Sequence, residues 1–105
     1  MAFINVHSAV IEIDEDGFLQ DPALWDEDVA KHLAKTEGIE EMSADHWKVV
    51  NYLREYYQRF GSAPMIRKLC KETGFNLKYI YELFPSGPAQ GACKIAGLPK
   101  PTGCV

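Results

Sequence analysis

The chain has 105 residues, 47% apolar and 25% charged, a size and composition that suit one soluble domain with a modest core. No apolar run approaches membrane-spanning length, and the opening Met-Ala-Phe-Ile-Asn-Val-His lacks the regions of a signal peptide, so a cytoplasmic location is expected. At a net charge of −4 the chain is not a basic polyanion binder overall, and three cysteines in a reducing compartment argue for sulfur or redox chemistry rather than a disulfide scaffold.

In chain order, the first twenty residues read as a β-hairpin. Val10, Ile11 and Ile13 form a short β-branched run, and Asp14-Glu-Asp-Gly17 supplies turn chemistry before Phe18 and Leu19. A strand around Phe3 to Val6 pairs with that run. Asp26 then caps a helix reaching Glu37, with Val29, Ala30, Leu33 and Ala34 on one face. Gly38 suits a left-handed stop, after which Ile39 folds back onto Ala34. Ser43 caps the next helix, Ala44 to Phe60, whose Trp47, Val50, Leu53, Tyr57 and Phe60 recur at helical spacing. This is the expected central helix, with the stripe Tyr52, Tyr56, Tyr57 and Phe60 in the core.

Pro64 is expected in the first turn of a third helix, where Ile66, Leu69, Cys70 and Thr73 share a face. Gly74 breaks it, Asn76 caps a fourth helix from Leu77 to Phe84, and a short helix from Pro88 to about Ala96 carries Cys93. The fold class is therefore mostly α (α+β): an N-terminal hairpin, then an orthogonal helical bundle. Residues 1–96 form one domain (hairpin 1–20, helical 22–96), and residues 97–105 form a flexible C-terminal arm.

That arm carries the clearest chemistry. Gly97, Pro99, Pro101 and Gly103 exclude helix and central strand, leaving an extended or looped segment tipped by Cys104. The eleven residue steps from Cys93 to Cys104 span about 36–40 Å when extended, and folded back they bring the two thiols to bonding distance. Ten intervening residues are too many for a Cys-x-x-Cys redox pair, and no further ligands nearby make a zinc site. Cys104 thus reads as a functional thiol. Cys93 reads from the residues alone either as a buried member of the Ala89, Ala92 and Ala96 face or as a second functional thiol, and Cys70 as core.

Charge divides along the chain: residues 1–45 carry twelve Asp/Glu against Lys31 and Lys35, whereas residues 46–105 carry nine Lys/Arg against three Glu. Mutual neutralisation of the halves and recognition of an anionic partner by the basic half both fit. The segment from Pro64 to Phe84 has a helix-turn-helix outline with Lys78 on its second helix, so DNA binding stands as an alternative to plain packing. No phosphate loop, Ser/His/Asp set or paired-carboxylate site accompanies it, and a stand-alone catalyst is not expected.

The stretch Gly87-Pro-Ala-Gln-Gly-Ala-Cys93-Lys-Ile-Ala-Gly-Leu-Pro-Lys-Pro-Thr-Gly-Cys104-Val105 resembles the DsrC/TusE family, whose DsrC branch is the gamma subunit of dissimilatory sulfite reductase. Upstream likenesses are Asp14-Glu-Asp-Gly-Phe18-Leu19, His46-Trp47, Leu53-Arg-Glu-Tyr-Tyr57, Ala63-Pro64, Ile66-Arg67 and Tyr81-Glu-Leu-Phe-Pro85. The resemblance implies a sulfur carrier whose arm enters the alpha and beta catalytic subunits of the reductase. Cys104 would accept, or in sulfur oxidisers deliver, sulfur as a persulfide. Cys93 would close a trisulfide or disulfide, and a membrane-bound thiol/trisulfide reductase complex would restore the thiols. Sirohaem and iron–sulfur clusters are implied in the partner subunits, with no cofactor in this chain. Arg67, Lys94 and Lys100 are candidate contacts for an anion or partner. TusE-like members of the tRNA 2-thiolation relay, which work with sulfurtransferases, share a cysteine at the Cys104 position and generally lack one at Cys93. The presence of Cys93 therefore favours the DsrC branch.

Overall fold

A computed structural model describes residues 2–6 and 9–98. Strands β1 (Ala2–Val6) and β2 (Ala9–Ile13) pair antiparallel, with Ile4 opposite Ile11 and Asn5 opposite Val10. The period of two sends Ile4, Val6 and Ile11 toward the core and leaves Phe3 and Val10 on the solvent face. After β2, Asp14 organises the turn. Its Oδ1 accepts from the backbone N–H groups of Asp16 and Phe18, both at 2.9 Å, and the chain returns to set Leu19 opposite Ile13. Phe18 and Leu19 are buried as a result.

Helix α1 (Glu27–Thr36) begins as the sequence predicts, with Asp26 accepting from the Val29 N–H at 2.8 Å, and it buries Val29, Ala30, Leu33 and Ala34. It ends in a Schellman motif: the Gly38 N–H reaches the Lys35 carbonyl at 3.1 Å and the Ile39 N–H reaches that of Ala34 at 2.9 Å. Ile39 is thereby folded onto the core, and Glu37 is left at the helix end, pointing back over the body.

Helix α2 (Ala44–Phe60) is the spine. Ser43 and His46 form a reciprocal cap in which the imidazole Nδ1 accepts from the Ser43 N–H at 3.0 Å. The other ring nitrogen therefore carries the proton and donates to the Leu83 carbonyl at 2.8 Å, tying the start of α2 to a residue 37 positions further on. Val49, Val50 and Leu53 are fully buried, whereas Tyr52, Tyr56 and Tyr57 are half-buried and Phe60 is 61% exposed. The expected aromatic stripe thus lies on the flank of the core rather than inside it. Tyr52, Tyr56 and Phe60 instead line a cleft together with Glu55, Arg59, Lys68 and Glu72.

Helix α3 (Ile66–Thr73) starts two residues after Pro64, because Met65 is extended and delays the first turn. Asn76 caps α4 (Leu77–Leu83) by accepting from the Tyr79 N–H at 2.8 Å, and the Tyr79 hydroxyl donates to Asp45 on α2. The α3–Gly74–α4 unit has the anticipated helix-turn-helix outline, with Arg67, Lys68, Lys71 and Lys78 exposed. The final segment is helical but not uniformly α. Pro88–Ala92 form a π-helical turn, which passes directly into the short α5 (Cys93–Ile95). This segment packs against α1 and α2, and Ile95 and Leu98 join Phe18, Leu33, Leu53 and Phe84 in the core. The whole is a mostly helical protein with an N-terminal hairpin.

Candidate functional site

Cys93 sits where the π-helical turn becomes α-helix. At Gly91, which has no Cβ, one built there would lie 3.1 Å from the Phe84 Cβ, so the backbone of this turn approaches α4's end closely. Cys93 is completely buried and is a free thiol. Burial pushes its pKa up to about 12, because a thiolate there would lose its hydration without gaining a counter-charge. In this arrangement Cys93 is a protected thiol, not an activated one.

The three residues that follow are each held from another part of the chain. The Lys94 ammonium pairs with Glu37 at 2.6 Å, both side chains about 10% exposed, and hovers 5.9 Å from the Phe18 ring centre. The Trp25 indole Nε1 donates to the Ile95 carbonyl at 2.8 Å. Arg54 Nη1 donates to the Ala96 carbonyl at 2.8 Å, and its guanidinium stacks 3.8 Å above the Trp25 ring. Glu37, Trp25 and Arg54 come from the end of α1, the loop before α1 and the middle of α2.

Local hydrogen bonds complete the seat. A second Schellman motif ends α5: the Gly97 N–H reaches the Lys94 carbonyl at 3.0 Å, and the Leu98 N–H reaches the carbonyl of Cys93 itself at 3.1 Å. Gly97 takes φ +73°, and a Cβ built there would come within 2.5 Å of Trp25 Cδ1. Beside this exit lies a cleft of about 430 Å³, lined among the described residues by Ala23, Arg54, Tyr57, Gln58, Gly97 and Leu98.

Of the residues singled out by sequence, Cys93 and Lys94 are neighbours in this seat. Lys94 is committed to Glu37 inside the fold, so an outside anion would first have to break that pair. Arg67 is exposed in the first turn of α3 and shares no hydrogen bond or ion pair with the Cys93 segment among the described residues. Lys100 and Cys104 lie outside the described residues. Cys70 is half-buried and packs against the core. Sequence reasoning missed Glu37, Trp25 and Arg54 as parts of the site. Sequence offered no separate signal for them: Arg54 lies beside Leu53, which itself continues the apolar spacing Trp47, Val50, Leu53, Tyr57. Among the described residues no group of three or more His, Cys, Asp or Glu could hold a metal ion.

Comparison with known proteins sets this geometry in a family. Residues 5–105 match the family model described as DsrC like protein. The chain belongs to the DsrC family. This DsrC-family chain is 51% identical, over the full length of both proteins, to the dissimilatory-type sulfite reductase subunit gamma of Nitratidesulfovibrio vulgaris Hildenborough. It is 46% identical over 102 residues to the sulfurtransferase TusE of Salmonella typhimurium, covering 90% of this chain and 93% of the relative. The crystal structure of the oxidized gamma subunit of dissimilatory sulfite reductase from Archaeoglobus fulgidus matches with a TM-score of 0.89 at 49% identity, covering 99% of this chain and all of that one.

Proposed function

We propose that this DsrC-family chain is a sulfur carrier and protein co-substrate of dissimilatory sulfite reductase, with Cys104 as the loading thiol and Cys93 as the closing thiol. The observation that carries this reading is the seat of Cys93: a buried free thiol, pinned through the three residues after it, at the root of a segment that places Cys104 eleven residues further on. A fixed thiol and a thiol on a Gly/Pro-rich tether are what a two-cysteine carrier requires. The 51% identity to a sulfite reductase gamma subunit supports the same partner, namely the catalytic subunits, whose sirohaem and iron–sulfur clusters would supply the electron chemistry.

Two closing reactions balance. If Cys104 holds a persulfide, the Cys93 thiolate attacks its inner sulfur, expels hydrosulfide and forms a disulfide. If Cys104 holds sulfur two electrons more oxidised, as Cys104–S–S–OH, the Cys93 thiol attacks the outer sulfur and water leaves. The product is then a trisulfide, which a thiol-linked reductase must later reduce. Either route requires Cys93 to be uncovered, since in its seat it is buried and protonated. Docking of the arm in the partner serves loading, and release of the π-helical turn serves closure.

The test is intact mass spectrometry after incubation with the catalytic subunits, sulfite and reductant. A gain of one sulfur that disappears in Cys93→Ala and Cys104→Ala variants supports the reading, and an unchanged wild-type mass sinks it. The 46% identity to TusE favours one second reading, a relay for tRNA 2-thiolation. That reading predicts persulfide uptake from a sulfurtransferase that needs Cys104 alone and is indifferent to Cys93→Ala.

A further inference from the structure

The side of α2 turned away from Arg54 is furnished as a groove. At about 100° per residue, Tyr52, Tyr56 and Phe60 fall on the opposite face of the helix from Arg54, Tyr57 and Gln58. With α3 they line a cleft of about 260 Å³. The three rings form a ladder: centroids are 6.1 Å apart from Tyr52 to Tyr56 and 4.5 Å from Tyr56 to Phe60, and Phe60 at its end is 61% exposed. The Tyr52 hydroxyl is buried yet has no hydrogen-bond partner among the described residues. Burial first, and then the nearby Glu72 carboxylate and Tyr56, raise its pKa, so it stays protonated and able to donate. Charge is divided along the cleft. Residues 61–65 turn the chain back from Phe60 into α3, which sets Lys68 with Arg59 at the Phe60 end and Glu72, one helical turn further, toward Tyr52. Glu55, one turn before Arg59, stands with Glu72 at the acidic end. None of these four exposed charged side chains has an ion pair among the described residues.

These properties narrow the occupant. A hollow is not filled by the same hollow on a second copy, so self-pairing would leave the Tyr52 hydroxyl unmatched. The volume falls below the roughly 300 Å³ at which small-molecule pockets begin, and it suits one large side chain. Two acids beside two bases give no net attraction for a nucleic acid. Accessible aromatic rings beside an arginine are what the centres of protein interfaces are made of. We propose that the groove is a docking site for a helix of a partner protein. That helix inserts a tyrosine-like side chain, aromatic with an oxygen at its tip, and flanks it with a base on one side and an acid on the other. The inserted ring packs on the Tyr56–Phe60 end of the ladder, and its tip oxygen accepts from Tyr52. The base meets Glu55 and Glu72, and the acid meets Arg59 and Lys68. Tyr52 to Phe60 spans about 12 Å of helix rise, so base, tyrosine and acid fit at four-residue intervals along the docking helix. Because the groove faces away from Arg54 and the Ala96 carbonyl it holds, a partner seated there leaves the seat of Cys93 uncovered. Docking there is independent of the sulfur-carrier reading.

The experiment is a titration of the reduced full-length chain, followed by amide NMR at physiological salt. The probe is a synthetic helical peptide with Lys, Tyr and Glu at four-residue intervals in an alanine-rich frame. Peptides with Lys at both flanks or Glu at both flanks, a Phe-centred peptide and free tyrosine are the comparisons. The Lys-Tyr-Glu peptide should shift amides of residues 52–60 and 66–73, and both like-charged peptides should bind several-fold more weakly. Phe60→Ala, at an exposed position that leaves the core intact, should weaken binding about tenfold. Tyr52→Phe should erase the preference for the Tyr-centred over the Phe-centred peptide, a discrimination that a purely structural Tyr52 does not carry. Shifts absent from the groove, equal binding of all the peptides, or binding unchanged in Phe60→Ala overturn the inference. Free tyrosine binding as tightly as the peptide assigns the groove to a small ligand. A concentration-dependent dimer in sedimentation that Phe60→Ala abolishes assigns it to a second copy. Either of these results overturns the helix partner.

Discussion

Glu37 and Lys94 meet at 2.6 Å across 57 positions of sequence, and they join the end of α1 to the residue directly after Cys93. The pair is nearly dry, and the second carboxylate oxygen, Glu37 Oε1, is buried without a hydrogen-bond partner among the described residues. Such a pair adds little net stability over apolar packing, but breaking one half strands a charge. Its role is better read as fixing the register of the Cys93 segment against the body.

Glu37→Gln should therefore cost about 3 kcal/mol, because the Lys94 ammonium is left buried without its counter-charge. The double variant Glu37→Leu/Lys94→Met should recover most of that loss. Urea midpoints of the three proteins check this, and a Glu37→Gln midpoint equal to wild type would show that the pair holds nothing.

Gly97 and Gly74 adopt nearly the same left-handed conformation, with φ of +73° and +78°. Gly97 also has Trp25 where a Cβ would go, while no atom of the described residues lies within 4 Å of one at Gly74. Gly74→Ala should cost about 1 kcal/mol from backbone conformation, and Gly97→Ala roughly 2–3 kcal/mol because Trp25 must shift as well. Thermal melts of both variants give the comparison, and equal losses would mean that the Trp25 contact yields freely.

The Cys93 thiol titrates near 12 in the folded chain against an ordinary value of 9.0. The folded state holds its proton longer, so the stabilisation is complete below pH 9 and is lost as pH rises toward 12, at about 1.4 kcal/mol per pH unit. Cys93→Ala should abolish this component of the alkaline decline. Stability curves of the two proteins between pH 8 and 11 should therefore diverge, and parallel curves would refute the assignment. Under the same burial, alkylation of Cys93 in the native chain should lag far behind that of half-buried Cys70.

Trp25→Phe keeps an aromatic ring under Arg54 but removes the donor to the Ile95 carbonyl. The expected cost is about 1–2 kcal/mol, from a partly buried carbonyl left unmatched. Amide hydrogen exchange should accelerate at Ala96 to Leu98, where the second Schellman motif is stitched. Unchanged exchange there would show that the indole bond is not a restraint on the exit.

Much of the fold was legible because its signals are local. Asp26, Ser43 and Asn76 each act within three residues of themselves, and the Gly38–Ile39 reversal needs only the end of α1. The seat of Cys93 was not legible, for the opposite reason. Its restraints span 42 to 70 positions, and periodicity along one helix carries no information about which distant side chain will meet its carbonyls. The π-helical turn was equally hidden, since Pro-Ala-Gln-Gly-Ala has no repeat from which to read a width. For Phe60, helical spacing predicted burial on the core face, but the side chain is 61% exposed.

The second Schellman motif has one more consequence. Because the Leu98 N–H is bonded to the Cys93 carbonyl and Leu98 is itself buried, the five residues after Cys93 are part of the body. On the carrier reading proposed above, the reach of Cys104 would therefore be counted from Leu98, six residues away, and would be at most about 20–22 Å, not the 36–40 Å counted from Cys93. Such an arm would work as a ruler with a fixed zero mark. A partner whose reacting sulfur lies deeper than that below its docking face could not be served by this chain, and each residue inserted after Leu98 would extend the limit by about 3.5 Å.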